Sequence, residues 1–263
     1  MWFATSSGLN KYDGYSFTVY NHRPGDPASL DFDDLEVVFE DSDGNIWVGG
    51  ADGIDRFDRQ TATFTRVDER GQAFCIAEDQ DGTLWAGFWH GLYGYDRDTL
   101  EMINAYPRSS GPTDDPNALA DGQVRSIVGD SRGYLWIGTS AGLDRLDRKT
   151  GTFIHYRADP DDPRGLSHGE IIAIFEDRRG ILWFGTGGGG LNRLNRTTGI
   201  FQRYQHDPVT RQQYPLQAGG FQPRRGDCAG AANEVDHLTD IQIRYLSDKE
   251  IPRLLDACSG FFL

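Results

Sequence analysis

Phe88, Trp89 and His90 stand together where comparable positions elsewhere in the chain hold Thr, Gly or other small residues. Aromatic rings exposed in a turn can stack on a sugar ring, and loops on rigid scaffolds often carry binding residues. Packing against a neighbouring element is the competing reading. Arg56, Arg145 and Arg193 recur at one register, with Lys11 at the matching place in the first copy. These cations either pair with acids of an adjacent element or line a channel and meet an anionic or sugar ligand. "DSDGN" (41–45) and "DQDGT" (79–83) resemble half a calcium loop, but Trp and Gly follow where further ligands and a bidentate Glu would stand, so they read as hairpin turns. No spacing gathers Ser, His and acids into a catalytic set. No catalytic residue, metal site or cofactor is expected. Cys75, Cys228 and Cys258 form no CxxC pair, which supports neither a disulfide framework nor a zinc site.

These residues sit in a string that the chain repeats. Trp2, Trp47, Trp85, Trp136 and Trp183 lie 38 to 51 residues apart, and each is followed six positions later by Gly. An apolar residue and then Asp or Asn close each copy, at Asp13, Asp58, Asp96, Asp147 and Asn195. D-x-x-G-x-[IL]-W precedes four of the tryptophans. Each copy reads as four short strands joined by tight turns, because Asp-Gly segments accept positive φ. In "GLDRLD", Leu143 and Leu146 are three apart, so a strand points them to opposite faces of a sheet covered on both sides. Four strands per roughly 40–45 residues predict a β-propeller blade. The tryptophans are expected to be structural, each packing one blade on the next. The predicted fold is all-β: a partial or distorted propeller with three strands at 1–20 and four blades at 35–67, 72–106, 123–156 and 170–204. An open arc or a strained closure is expected, with unpaired edges open to self-association.

The net charge of −14 argues against nucleic acid and anionic membrane surfaces, since phosphate binding needs clustered Lys and Arg. A neutral, cationic or sugar-like ligand stays open. No apolar run approaches a membrane span, and "MWFATSSGLNKYDG" lacks the features of a secretory signal. The chain as written is therefore expected to stay in the cytoplasm.

The segments between copies sharpen the reading. Asp26-Pro27, Asp115-Pro116 and Asp162-Pro163 each lead within a few residues to Leu30, Leu119 and Leu166. The combined string, Y…DP-x-x-L-S…E-D-x-x-G-x-L-W-x-G-T-x-x-G-L-x-R-L-D-x-x-T-G-x-F-x-x-Y, resembles the two-component regulator propeller repeat over about 1–208. That resemblance implies the extracytoplasmic sensor region of a hybrid histidine kinase, or of a protein with a diguanylate cyclase output, with carbohydrate fragments as a common ligand class. It implies a periplasmic parent protein. No kinase or cyclase motif is present, so no enzyme is expected in this chain; a propeller lyase or hydrolase, or a protein-interaction scaffold, are the alternatives. The repeat stops after Pro208. A linker expected to be disordered (209–237) leads to a tail (238–263) in which Ser247 and Glu250 form a capping box before Ile251, Leu254, Leu255 and Cys258 at helical spacing. R-Y-L-S-D-x-E-I-x-R-L-L-x-A-C (244–258) is similar to the start of a phage-type tyrosine recombinase catalytic domain. A propeller gene interrupted by a foreign reading frame is the expectation drawn from this.

Overall fold

The computed structural model describes residues 1–108, 115–120 and 123–205. The expected linker at 209–237, the helical tail at 238–263 and the recombinase-like string lie outside the described residues. What is described is all-β, in five antiparallel meanders. The first sheet holds β1 (Trp2–Thr5), β2 (Gly8–Tyr12) and β3 (Phe17–Tyr20). The second holds β4 (Leu35–Glu40), β5 (Ile46–Gly50), β6 (Gly53–Asp58) and β7 (Thr63–Asp68). The third holds β8 (Ala73–Glu78), β9 (Thr83–Phe88), β10 (Gly91–Asp96) and β11 (Met102–Pro107). The fourth holds β12 (Val124–Gly129), β13 (Tyr134–Thr139), β14 (Leu143–Asp147) and β15 (Thr152–Tyr156). The fifth holds β16 (Ile171–Glu176), β17 (Leu182–Thr186), β18 (Gly190–Asn195) and β19 (Ile200–Tyr204).

Within each sheet the strands follow chain order, so the local hairpin turns decide the pairing. Gly44 turns the D-x-x-G segment at φ +85°, a conformation that costs glycine little. Gly53 opens β6 at φ +139° with its Cα against the Asp68 carbonyl, where any Cβ would collide. Across sheets, β4, β8, β12 and β16 pack side by side, and β1 packs against β4. These innermost strands define the inside of a propeller arc. Among the described residues the first sheet has no strand in that innermost place. Among the described residues the first and fifth sheets share no packed strand pair, so they are the two ends of the arc.

The repeated residues are what stack the sheets. Leu143 buries toward the fifth sheet, in a cluster with Trp136 and Phe184, while Leu146 buries toward the third, with Trp85 and Leu92. Trp47, Trp85 and Trp136 are no more than 2% exposed, each against the sheet that follows it. Burying such a ring stabilises by roughly 2–3 kcal/mol. Trp183 is only half-buried, because no described sheet follows it. Close approach also needs small residues: a Cβ on Gly49 would sit 3.1 Å from Ala73 Cβ, and on Gly138 2.8 Å from Ile171 Cγ2, both in the next sheet.

Each of these four indoles has a polar anchor. The N–H of Trp47, Trp85, Trp136 and Trp183 donates to the Asp six residues earlier, at 2.8, 2.7, 2.7 and 3.1 Å. The other oxygen of Asp41 accepts the backbone N–H groups of Asp43 and Asn45. Burial pushes the Asp41 carboxyl up, but the Trp47 and Asn45 donors outweigh it and hold it below the ordinary carboxylate value. The D-x-x-G-x-[IL]-W spacing thus joins a turn to a packing ring in one motif.

Candidate ligand-binding face

Every innermost strand carries one irregularity at the same register. Pairing steps from Leu35–Gly50 to Val37–Gly49, from Ala73–Phe88 to Cys75–Gly87, from Val124–Thr139 to Ser126–Gly138 and from Ile171–Thr186 to Ala173–Gly185. One residue bulges out of each step: Glu36, Phe74, Arg125 and Ile172. Such bulges re-aim a side chain away from the alternation of the strand. Glu36 and Ile172 are exposed, and Phe74 and Arg125 are half-buried.

The four bulges share one face of the arc with the turns between second and third strands. Backbone N–H groups of Ala51, Trp89, Ser140 and Gly187 in those turns donate to the carbonyls of Asp34, Gln72, Gln123 and Glu170, just ahead of the innermost strands. Two of the bulges are met across a sheet joint by a residue of the next sheet. Gln72 Nε2 donates to Glu36 Oε1 at 3.1 Å, and the Arg125 guanidinium lies 4.8 Å over the Phe74 ring. Phe74 is tilted against Trp89, with ring centroids 6.4 Å apart, and Trp89 is 54% exposed. The result is a short rim in which two aromatic faces stand beside a guanidinium, a carboxylate and an amide. Aromatic faces with a few convergent polar groups suit an amphipathic ligand ring.

The sequence candidates fall in different places. Trp89 is at this rim. Phe88 is fully buried, in the cluster that contains Trp47 and Tyr93, so it offers no exposed stacking surface; its side chain points into the sheet joint rather than the turn. His90 packs edge-on against Phe88 at 5.7 Å and tilted against Tyr93 at 5.8 Å. Arg56, Arg145 and Arg193 stand on third strands, away from the innermost strands, and lie over Trp47, Trp136 and Trp183 at 6.0, 6.0 and 5.8 Å. Lys11 lies the same way over Trp2 at 5.4 Å. Cross-strand pairing sets this geometry, because Trp47 faces Arg56, Trp136 faces Arg145 and Trp183 faces Arg193. Their channel-lining role gives way to a cation–π contact on the packing rings. Among the described residues no group of His, Cys, Asp and Glu could hold a metal ion.

Two segments, 118–141 and 165–188, match the family model described as "Two component regulator propeller". Each runs from a buried linker leucine, Leu119 or Leu166, through an innermost strand and into the turn after the Trp strand. Those two segments carry the two-component regulator propeller repeat. No match was found among curated proteins. The extracellular domain of BT4673 from B. thetaiotaomicron, described both as a one component and as a hybrid two component system, is similar in fold: TM-score 0.62, 21% identity, over 78% of this chain and 26% of that one. PorZ, a surface component of the type-IX secretion system of Porphyromonas gingivalis, is similar at TM-score 0.56 and 17% identity, over 75% of this chain and 31% of that one. This chain therefore spans about a quarter to a third of the length of these proteins.

Sequence reasoning missed a second recurrent arginine of these repeats. Arg97, Arg148 and Arg196 follow the Asp or Asn that ends each third strand and reach back to the preceding sheet. Arg148 Nη1 lies 2.6 Å from Asp79 and 2.6 Å from Asp81, Arg196 Nη1 lies 3.2 Å from Asp130, and Arg97 Nη2 lies 2.9 Å from Asp43. Their constant register was visible in the sequence as [DN]-R. The bulge residues left no such signal, since Glu36, Phe74, Arg125 and Ile172 share no chemistry.

Proposed function

We propose that this chain is the ligand-recognising part of a signalling sensor, without chemistry of its own, and that a carbohydrate fragment is held at the rim formed by Phe74, Trp89, Arg125, Gln72 and Glu36. The observation that carries this reading is the set of four bulges at one register on four innermost strands, which puts dissimilar side chains on a common rim beside the exposed Trp89. A sugar ring stacks on Trp89 and Phe74, and its hydroxyls meet Arg125, Gln72 and Glu36. The overall negative charge favours a neutral sugar over a polyanion. The fold likeness to an extracellular domain supports a site outside the cytoplasm. The loss of the repeat after Pro208 supports a foreign reading frame as the origin of the tail, which reading the flanking DNA tests.

Calorimetric titration of the full chain with a panel of neutral oligosaccharides tests the reading. Trp89→Ala and Arg125→Ala should each weaken binding about tenfold or more, as expected for losing one aromatic or charged contact of 1–2 kcal/mol. Binding that both variants leave unchanged places the ligand elsewhere.

A further inference from the structure

We propose that the outer end of the joint between fourth and fifth sheets is a second ligand site, for a small organic anion with a carboxylate or phosphate head on a compact apolar body. A cavity of about 450 Å³ lies there, framed by the end of β15, the linker that enters the fifth sheet and the turn that leads into β19. That size suits a small-molecule ligand. The cavity stands at the outermost strands, so it is separate from the rim on the innermost ones and does not rest on the reading of that rim.

Tyr156, Ile200 and Phe201 give the cavity apolar surface, and Arg157 and Arg164 give it charge. The Arg164 side chain is 72% exposed, and its Nε lies 3.4 Å from Asp162. Arg203 lies behind the linker and donates to the carbonyls of Asp162, Gly165 and Leu166 at 2.7, 3.0 and 2.9 Å. Arg66, at the same register in the second sheet, pairs with the carboxylates of Asp31 and Glu69. Asp162 is the carboxylate among the lining residues. The Arg164 N–H at 2.9 Å, and then the charges of Arg164 and Arg203, hold its carboxyl below the ordinary value.

The linker does not need these cations to fold. One bridge of the same kind closes each of three linkers, at His22–Leu30, Arg108–Leu119 and Ala158–Leu166. At the registers of Arg157 and Arg164 the earlier linkers hold Asn21 and Ala28, or Pro107 and Asn117, all neutral. Two neutral registers thus turn basic at this joint, in a chain whose net charge is −14. Gly165 stands where the earlier linkers hold Ser29 or Ala118. A Cβ on Gly165 would meet nothing closer than the Asp162 carbonyl at 3.5 Å, so the linker path leaves room there. Guanidinium groups beside apolar surface favour an anionic head over a neutral one.

Calorimetric titration of the full chain with benzoate and with phenyl phosphate, beside neutral benzyl alcohol, tests this. At least one anion should bind, more weakly as salt is raised, and benzyl alcohol should not. The tighter of the two anions names the head. Arg164→Ala should weaken that binding about tenfold or more. Gly165→Leu, which fills the cavity, should remove it, and Trp89→Ala at the rim should leave it unchanged. Melting temperatures matching the parent certify the fold of each variant. Binding of neither anion overturns the proposal. So does binding that Arg164→Ala and Gly165→Leu both leave unchanged, or benzyl alcohol held as tightly as the anions.

Discussion

At the residue scale, the position after the strand-opening leucine or isoleucine holds Asp55, Asp144 or Asn192, each fully buried. Each accepts a backbone N–H from the linker that enters its sheet: from Asp31 at 3.0 Å, Ala120 at 2.8 Å and Ser167 at 3.0 Å. An amide does this task as well as a carboxylate, as Asn192 shows. Asp144 also receives His155 Nδ1 at 2.8 Å, and that bond raises the imidazole above its ordinary value against the opposing effect of burial. Burial pushes the Asp55 carboxyl up to about 7, against the lowering effect of the Asp31 N–H. Both groups bind protons more tightly in the folded chain. The Asp55 contribution is complete below its unfolded value near 3.8 and is lost as pH rises through about 7. The His155 contribution is complete below about 6.5 and is lost as pH rises through its higher folded value. The melting temperature should therefore fall between pH 5 and pH 8. Asp55→Asn should raise stability at pH 8 by roughly 1–3 kcal/mol and much less at pH 5. Melting curves across that range decide it, and a gain that ignores pH would show that burial of this charge is not the cause.

At the scale of the element, the unit of stability is the joint between two sheets, and its polar half is graded by burial. Arg148 and Asp79 are nearly enclosed, and Asp79 also holds the Trp85 indole. Arg59, at the same register in the second sheet, crosses to the first sheet only by lying over the Trp2 ring at 5.8 Å, and its ion pair is within its own sheet, with Glu40 at 2.7 Å and both partners more than 40% exposed. Removing a cation from an enclosed carboxylate leaves a buried charge, whereas an exposed pair is screened by water. Arg148→Ala should cost about 2–4 kcal/mol and Arg59→Ala less than about 1 kcal/mol. Urea unfolding of the two variants measures the difference. Equal losses would mean that the arginines act by packing their stems and not by pairing.

At the scale of the whole molecule, an arc of sheets that touch only their neighbours behaves as a one-dimensional array, whose stability is the sum of units and joints. The first sheet is the weakest unit. Among the described residues it has no innermost strand, and the side chains of β3 are mostly exposed. Hydrogen exchange should be fastest in β3, where few buried contacts oppose local opening, and slowest in β9 and β10, which are buried on both faces between two further sheets. Uniform protection from end to end would instead indicate a closed, fully cooperative ring.

The residue pattern alone carries the repeat, and with it the strands, their order in each sheet and the burial of Trp47, Trp85 and Trp136, because one unit can hide its apolar faces only against copies of itself. Leu143 and Leu146 were legible for the same reason: alternation along a strand sends them to opposite faces. Sequence could not show that the Asp of each turn would hold the indole six residues on, since the turn alone was reason enough for an Asp. The stacked sheets were needed to place Phe88 inside and Trp89 outside, to lay the third-strand arginines on the packing rings, and to bring Glu36, Phe74, Arg125 and Ile172 to one rim. A bulge is a property of two paired strands, and residues from four sheets meet only once those sheets are stacked.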